Sequence, residues 1–228
     1  MQHMNFPQGG RTDATDALLM AMVEADGTAT QPHVQSLCAD AGNHGARPLA
    51  SLADAAHYLC LLHGRFPGVV DHAATRSTDN AARKWLLQTC EAFADERAAL
   101  SRVSVALGPV PSTSGQNNCD SAVLQQRHAL EMLSQSDRRG CAMGAALTLV
   151  LDWTGVRHLL DRAAIRAGIE PRACTLPSVQ DTLAVARAIT VDEGSARAIQ
   201  FGARQLLNQH RGLWALMQAR ASIRSVEG

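Results

Sequence analysis

Between Asn118 and Gly168 the chain runs for 51 residues without a proline and is rich in Ala, Leu and Arg. A single helix over this stretch would be roughly 75 Å long, whereas a compact domain of 228 residues has a radius of gyration of about 17 Å. The stretch must therefore fold back on itself as two helices. The break is predicted at Ser136-Asp137-Arg138-Arg139-Gly140: arginines suit a helix C-terminus, Gly140 can take the left-handed cap, and Ser136 or Asp137 can start a new helix. Gly155 is the second candidate. Downstream, Asp152 is set into the apolar run Leu147 to Trp153. A carboxylate on the buried side of a helix is costly unless something pairs with it, so Asp152 needs a partner.

Composition points the same way. Apolar residues make up 46% of the chain but aromatics only 4%, and strand-length runs of Val, Ile and Thr are scarce, which is the profile of Ala/Leu-packed helices. The formal net charge is zero, which removes the overall excess needed to grip nucleic acid or an anionic membrane. Charge is nevertheless uneven. Residues 1–60 hold six acids against Arg11 and Arg47, while the last 35 residues carry Arg197, Arg204, Arg211, Arg220 and Arg224 against Glu227. Lys84 is the only lysine, a coding bias that suggests a GC-rich bacterial genome. The six cysteines form no CxxC pair and read as reduced thiols. The N-terminus lacks the apolar segment of a secretory signal, and the longest apolar run, Cys141 to Leu151, is too short for a bilayer. A soluble, cytoplasmic protein without a membrane partner is expected.

Apolar spacing predicts a first helix after Thr12, then an irregular segment over 27–48 with Gly27, Pro32, Gly42, Gly45 and Pro48. A helix opens at Ser51 with Asp54 three positions on and is limited by Pro67, and a short helical turn over Val69 to Ala74 can follow. Thr78 can cap the next helix, whose stripe Trp85, Thr89, Phe93, Glu96, Leu100, Val103 and Leu107 runs to Gly108 and Pro109. Residues 108–117 form a Pro/Gly/Ser loop between the two halves. Ser178 opens a short helix to about Thr190, and Asp192 begins the last, with Ile199, Ala203, Leu206, His210, Leu213 and Met217 on one side. The expectation is a single all-α domain over 1–228, a helical bundle of six to seven helices, about four of them long.

A bundle builds sites from polar residues on inward stripes. Four such residues are Glu96, Asp152, His63 and His210, and Arg97 or Arg157 can supply a partner for a carboxylate. Carboxylates and imidazoles converging between helices suit iron or manganese. The ferritin-like Glu-x-x-His is absent, however; the nearest pattern is the reverse, His128-Ala-Leu-Glu131, which points away from the stripe of Val123, Leu130 and Leu133. His57, Cys60 and His63 share a helix face and can offer zinc a partial ligand set, with Asp71 or His72 needed to complete it.

Two surfaces suggest partners. Gly140 and Gly144, extended by Ala145 and Ala146, let a neighbouring helix approach closely, and a second copy of the chain is the expected neighbour. Arg197, Arg204 and Arg211 recur every seven residues along the last helix. That row can contact an acidic protein or RNA, or complement the acidic N-terminal helix. The leading expectation is a binding, scaffolding or regulatory protein without cofactor. A carboxylate/histidine metal bundle is the alternative, and RNA or acidic-partner binding through the arginine row is a further one.

Overall fold

The computed structural model describes residues 13–39, 46–138 and 140–227, and these form helices and no strand. Nine α-helices follow in order: α1 Asp13–Asp26, α2 Pro32–Ala39, α3 Ala46–His63, α4 Val69–Arg76, α5 Asn80–Leu107, α6 Gln116–Ser134, α7 Cys141–Arg166, α8 Val179–Ile189 and α9 Glu193–Glu227, with one 3-10 turn at Thr28–Thr30. The apolar spacing predicted six to seven. The excess comes from two short pieces of eight residues each: α4 extends the helical turn expected over Val69 to Ala74, and α2 lies inside the 27–48 segment expected to be irregular. Residues 40–45 of that segment lie outside the described residues.

Helix boundaries follow local chemistry. α3 begins at Ala46 rather than Ser51, with Pro48 in its first turn, where a missing N–H is tolerated. Asp79, not Thr78, caps α5 by accepting from Ala81 N at 2.9 Å, and Gly108 ends the helix with φ 83°. Ser178 caps α8, its hydroxyl accepting from Asp181 N at 3.1 Å. The break inside the long proline-free stretch falls between Ser134 and Cys141, where the sequence places it. Gly140 takes φ 98° there as the residue leading into α7, not as the end of α6. Gly155 does not interrupt α7. A Cβ at that position would lie 2.8 Å from Ala29 N, so the glycine lets the 3-10 turn press against the helix.

α7 is the axis of the fold. It touches every other helix, and each residue from 141 to 153 is buried, so the run Leu147 to Trp153 has no polar face to show. Its most extensive contact is with α9. A Cβ on Gly144 would lie 2.1 Å from the Ile199 carbonyl oxygen, and one on Gly202 would lie 2.1 Å from that of Cys141. The small-residue face from Gly140 to Ala146, expected to receive a second copy of the chain, is thus covered by α9 of the same chain. Small side chains permit a close approach, but they do not specify whose helix makes it. Among the described residues no helix is long and apolar enough to cross a membrane.

Candidate functional site

Asp152 stands in the middle of α7, 2% exposed. It is paired by neither Arg97 nor Arg157. Its Oδ1 accepts from Thr28 N at 2.6 Å, and its Oδ2 accepts from the Thr28 hydroxyl and from His210 Nδ1, each at 2.6 Å. Trp214 Nε1 donates to the same Thr28 hydroxyl at 3.1 Å. On the far side of the ring, His210 Nε2 meets His63 Nε2 at 2.8 Å. A continuous buried chain therefore runs from Trp214 through Thr28, Asp152 and His210 to His63, joining α9, the 3-10 turn, α7 and the C-terminal end of α3. Burial pushes the Asp152 carboxyl up, but the hydrogen bonds from His210 and Thr28 outweigh it and hold the group below the usual carboxylate range. Burial, then the charge of His210, pushes His63 well below the ordinary histidine range.

The ring of Trp153 separates this chain from a second one. His63 packs edge-on to Trp153 with centroids 5.6 Å apart, and Trp153 Nε1 donates to Glu96 Oε2 at 2.8 Å. Arg157 Nη1 donates to both Glu96 oxygens, at 3.3 and 3.2 Å, and its Nη2 to Asp161 at 2.8 Å and to the Arg172 carbonyl. Glu96 thus has the arginine partner that the sequence proposes for it. A third cluster holds Asp54 of α3, 0% exposed, between Arg220 and Arg224 of α9; these arginines also reach Ser51, the Thr113 hydroxyl and the Pro111 carbonyl. Arg97 pairs with Asp71 at 2.9 Å, and Asp71 also accepts from Gly68 N at the start of α4.

The residues proposed as metal ligands are connected without converging on a void. Asp152 reaches His63 through His210, and Glu96 reaches it through the Trp153 ring. Glu131 and His63 line one small recess, while His128 is 73% exposed and 3.8 Å from Glu131. The zinc trio is dispersed: His57 packs edge-on to Tyr58, Cys60 Sγ lies 3.9 Å from the Ser101 hydroxyl, and His63 is committed to His210. Among the described residues no group of three or more His, Cys, Asp or Glu is placed to hold a metal.

Sequence reasoning missed Thr28 and Trp214, and it placed His210 on an inward stripe without assigning it a site. Thr28 follows Gly27 in a segment without periodicity, and nothing in its neighbourhood marks a partner 124 residues away.

The arginine row mostly meets the chain's own acids. Arg197 pairs with Glu193 at 2.6 Å and Arg211 with Asp26 at 3.2 Å, while Arg187 of α8 pairs with Asp16 at 2.8 Å. Arg204 is exposed on α9. One feature that can receive a ligand is a recess of about 190 Å³ between the end of α4, the α6–α7 turn and the start of α9. Arg76 and Arg138 are its cations, and Ser77, Thr78 and Ser136 bring hydroxyls. Asp137 pairs with Arg76 at 2.6 Å, and Asp79 lies on the rim. Ala142 and Met143, in the first turn of α7, line its floor. No side chain caps that turn; Cys141 N donates to the Arg138 carbonyl at 3.2 Å, and the N–H groups of Ala142 and Met143 have no acceptor within the helix.

No curated protein and no solved structure matches the chain. A family match extends over residues 23–225 and so takes in all three buried clusters and the recess. The chain belongs to the Family of unknown function (DUF6975).

Proposed function

We propose that this chain is a helical-bundle binding protein, acting in regulation or scaffolding, which receives a small anion or the acidic side chain of a partner in the recess at the start of α7. The observation that carries the reading is the meeting, in one concavity, of Arg76, Arg138 and the uncapped first turn of a 26-residue helix. A helix N-terminus concentrates partial positive charge and free N–H donors, and arginine adds a forked donor. The recess, about 190 Å³, is below the roughly 300–1,000 Å³ of sites for drug-sized ligands, so the class of ligand is small. Titration of inorganic phosphate into ¹⁵N-labelled protein tests it. Saturable shifts of the Gly140 to Gly144 amides, lost in an Arg76→Glu/Arg138→Glu variant, are expected; amides that do not move at millimolar phosphate overturn the reading.

A second reading rests on α9, whose exposed stripe carries Arg197, Phe201, Arg204, Asn208 and Arg211. Three arginines with an aromatic between them suit an acidic protein segment or RNA. Such binding weakens steeply as salt rises; an interaction indifferent to salt removes this reading.

A further inference from the structure

The buried chain that starts at Trp214 ends, at His63, beside solvent. His63 lines a recess of about 20 Å³ together with Arg65, His72, Phe93, Arg127 and Glu131. Roughly 10–15 Å³ is enough for one water molecule, so the recess has room for water beside His63 and for little else. Inside, the two Nε2 atoms face each other at 2.8 Å. At that distance one proton lies between them, since two N–H groups or two lone pairs would repel. Asp152, which only accepts, fixes the other end by requiring a proton on His210 Nδ1.

We propose that the His63–His210 pair is a proton-operated switch in the contact between α3 and α9. A first proton arriving from the recess adds to His63 Nδ1. His63 passes its Nε2 proton to His210 Nε2, and the imidazolium so formed rests on the Asp152 carboxylate. Charge is balanced, and the helices stay together. A second proton can add only at His63 Nε2, which ends the hydrogen bond that this atom then accepts from His210 and makes two adjacent cations around one carboxylate. The other groups facing His63 do not relieve this. Glu96, beyond the Trp153 ring, is held by Arg157 and Trp153, and Asp71 is held by Arg97. Glu131, at the rim, is shared with Arg127 and His128, while Arg65 and His72 bring positive charge or its potential. Relief comes when α9, with His210 and Trp214, moves away from α3 and the 3-10 turn.

The direction with pH follows from the neutral form of His63 being favoured in the fold. Its contribution to stability is complete above the ordinary value of 6.5 and is lost as pH falls below it. One proton bound preferentially by the open form increases the opening equilibrium about tenfold per pH unit. The test combines two measurements on the full chain. In ¹⁵N-histidine spectra, acidification should first convert His63 from the Nε2–H to the Nδ1–H tautomer while the fold persists. In native-state hydrogen exchange, corrected for the intrinsic rate, opening of the 206–214 amides should then rise about tenfold per pH unit, with the slope reduced in His63→Gln. An unchanged slope in that variant, or a His63 ring that titrates at 6.5 without tautomer exchange, overturns the proposal. If His63→Gln does not fold, the tautomer measurement on the unaltered chain decides alone.

Discussion

Two consecutive residues of α7, Asp152 and Trp153, serve two carboxylates by different chemistry. Asp152 is itself the acceptor, held by Thr28 and His210, while Trp153 donates to Glu96, which Arg157 neutralises. The two sites should respond differently to mutation. In Asp152→Asn the amide must turn its NH₂ toward at least one of three donors, leaving a buried donor unpaired at a cost of about 1–3 kcal/mol. The variant should also lose part of the wild type's acid sensitivity. The carboxyl of Asp152 is lowered on folding, so its contribution is present above 3.8 and disappears as pH falls through the folded value. Urea titrations at several pH values check both points. Arg157→Leu strands a charge at Glu96, which is 2% exposed, and should cost about 3–5 kcal/mol. Adding Glu96→Gln should recover a large part of that loss in a double-mutant cycle, because the penalty lies in the unpaired charge.

Elements were legible in proportion to their length. Several of the signals that set the α5, α7 and α8 boundaries are visible in the sequence: Gly108 and Pro109, the turn at 136–140, and Ser178. An eight-residue helix such as α2 buries only His33, Val34 and Leu37 and leaves no readable stripe. Of the site, the burial of Asp152, Glu96, His63 and His210 could be read from helical phase, while the arginine partner was legible only as Arg97 or Arg157, without saying which carboxylate it meets. The link from Asp152 to Thr28 could not be read, because a turn of three residues has no periodic signature. Nor could the partner of the small-residue face be read. The α7–α9 seam gives the clearest prediction at this scale. Gly144→Ala or Gly202→Ala drives a methyl into a backbone carbonyl 2.1 Å away and should cost at least about 1–3 kcal/mol in chemical denaturation. Gly194→Ala, whose added carbon would meet only Asp192 Oδ1 at 3.3 Å near the start of α9, should be neutral or gain up to about 1 kcal/mol.

Across the whole molecule, two of the three buried clusters draw on the last helix. α9 supplies His210 and Trp214 to the Asp152 chain, and Arg220 and Arg224 to Asp54. Truncation after Met217 removes both arginines while leaving most of the α7–α9 seam, and it strands a carboxylate that is 0% exposed. The truncated chain should be destabilised by about 3–5 kcal/mol, read from its urea midpoint, even though circular dichroism still reports helix.

The position of α7 has a consequence for how the protein is made. Domains form as the ribosome delivers them, N-terminal parts first, yet the first half of α7, residues 141–153, is buried on every side and its most extensive neighbour, α9, is translated after it. Until α9 leaves the exit tunnel, a bare Ala/Gly seam flanked by Leu and Val is uncovered. Completion of this fold therefore waits for α9 to follow α7 off the ribosome, and until then the growing chain exposes apolar surface that the finished fold buries.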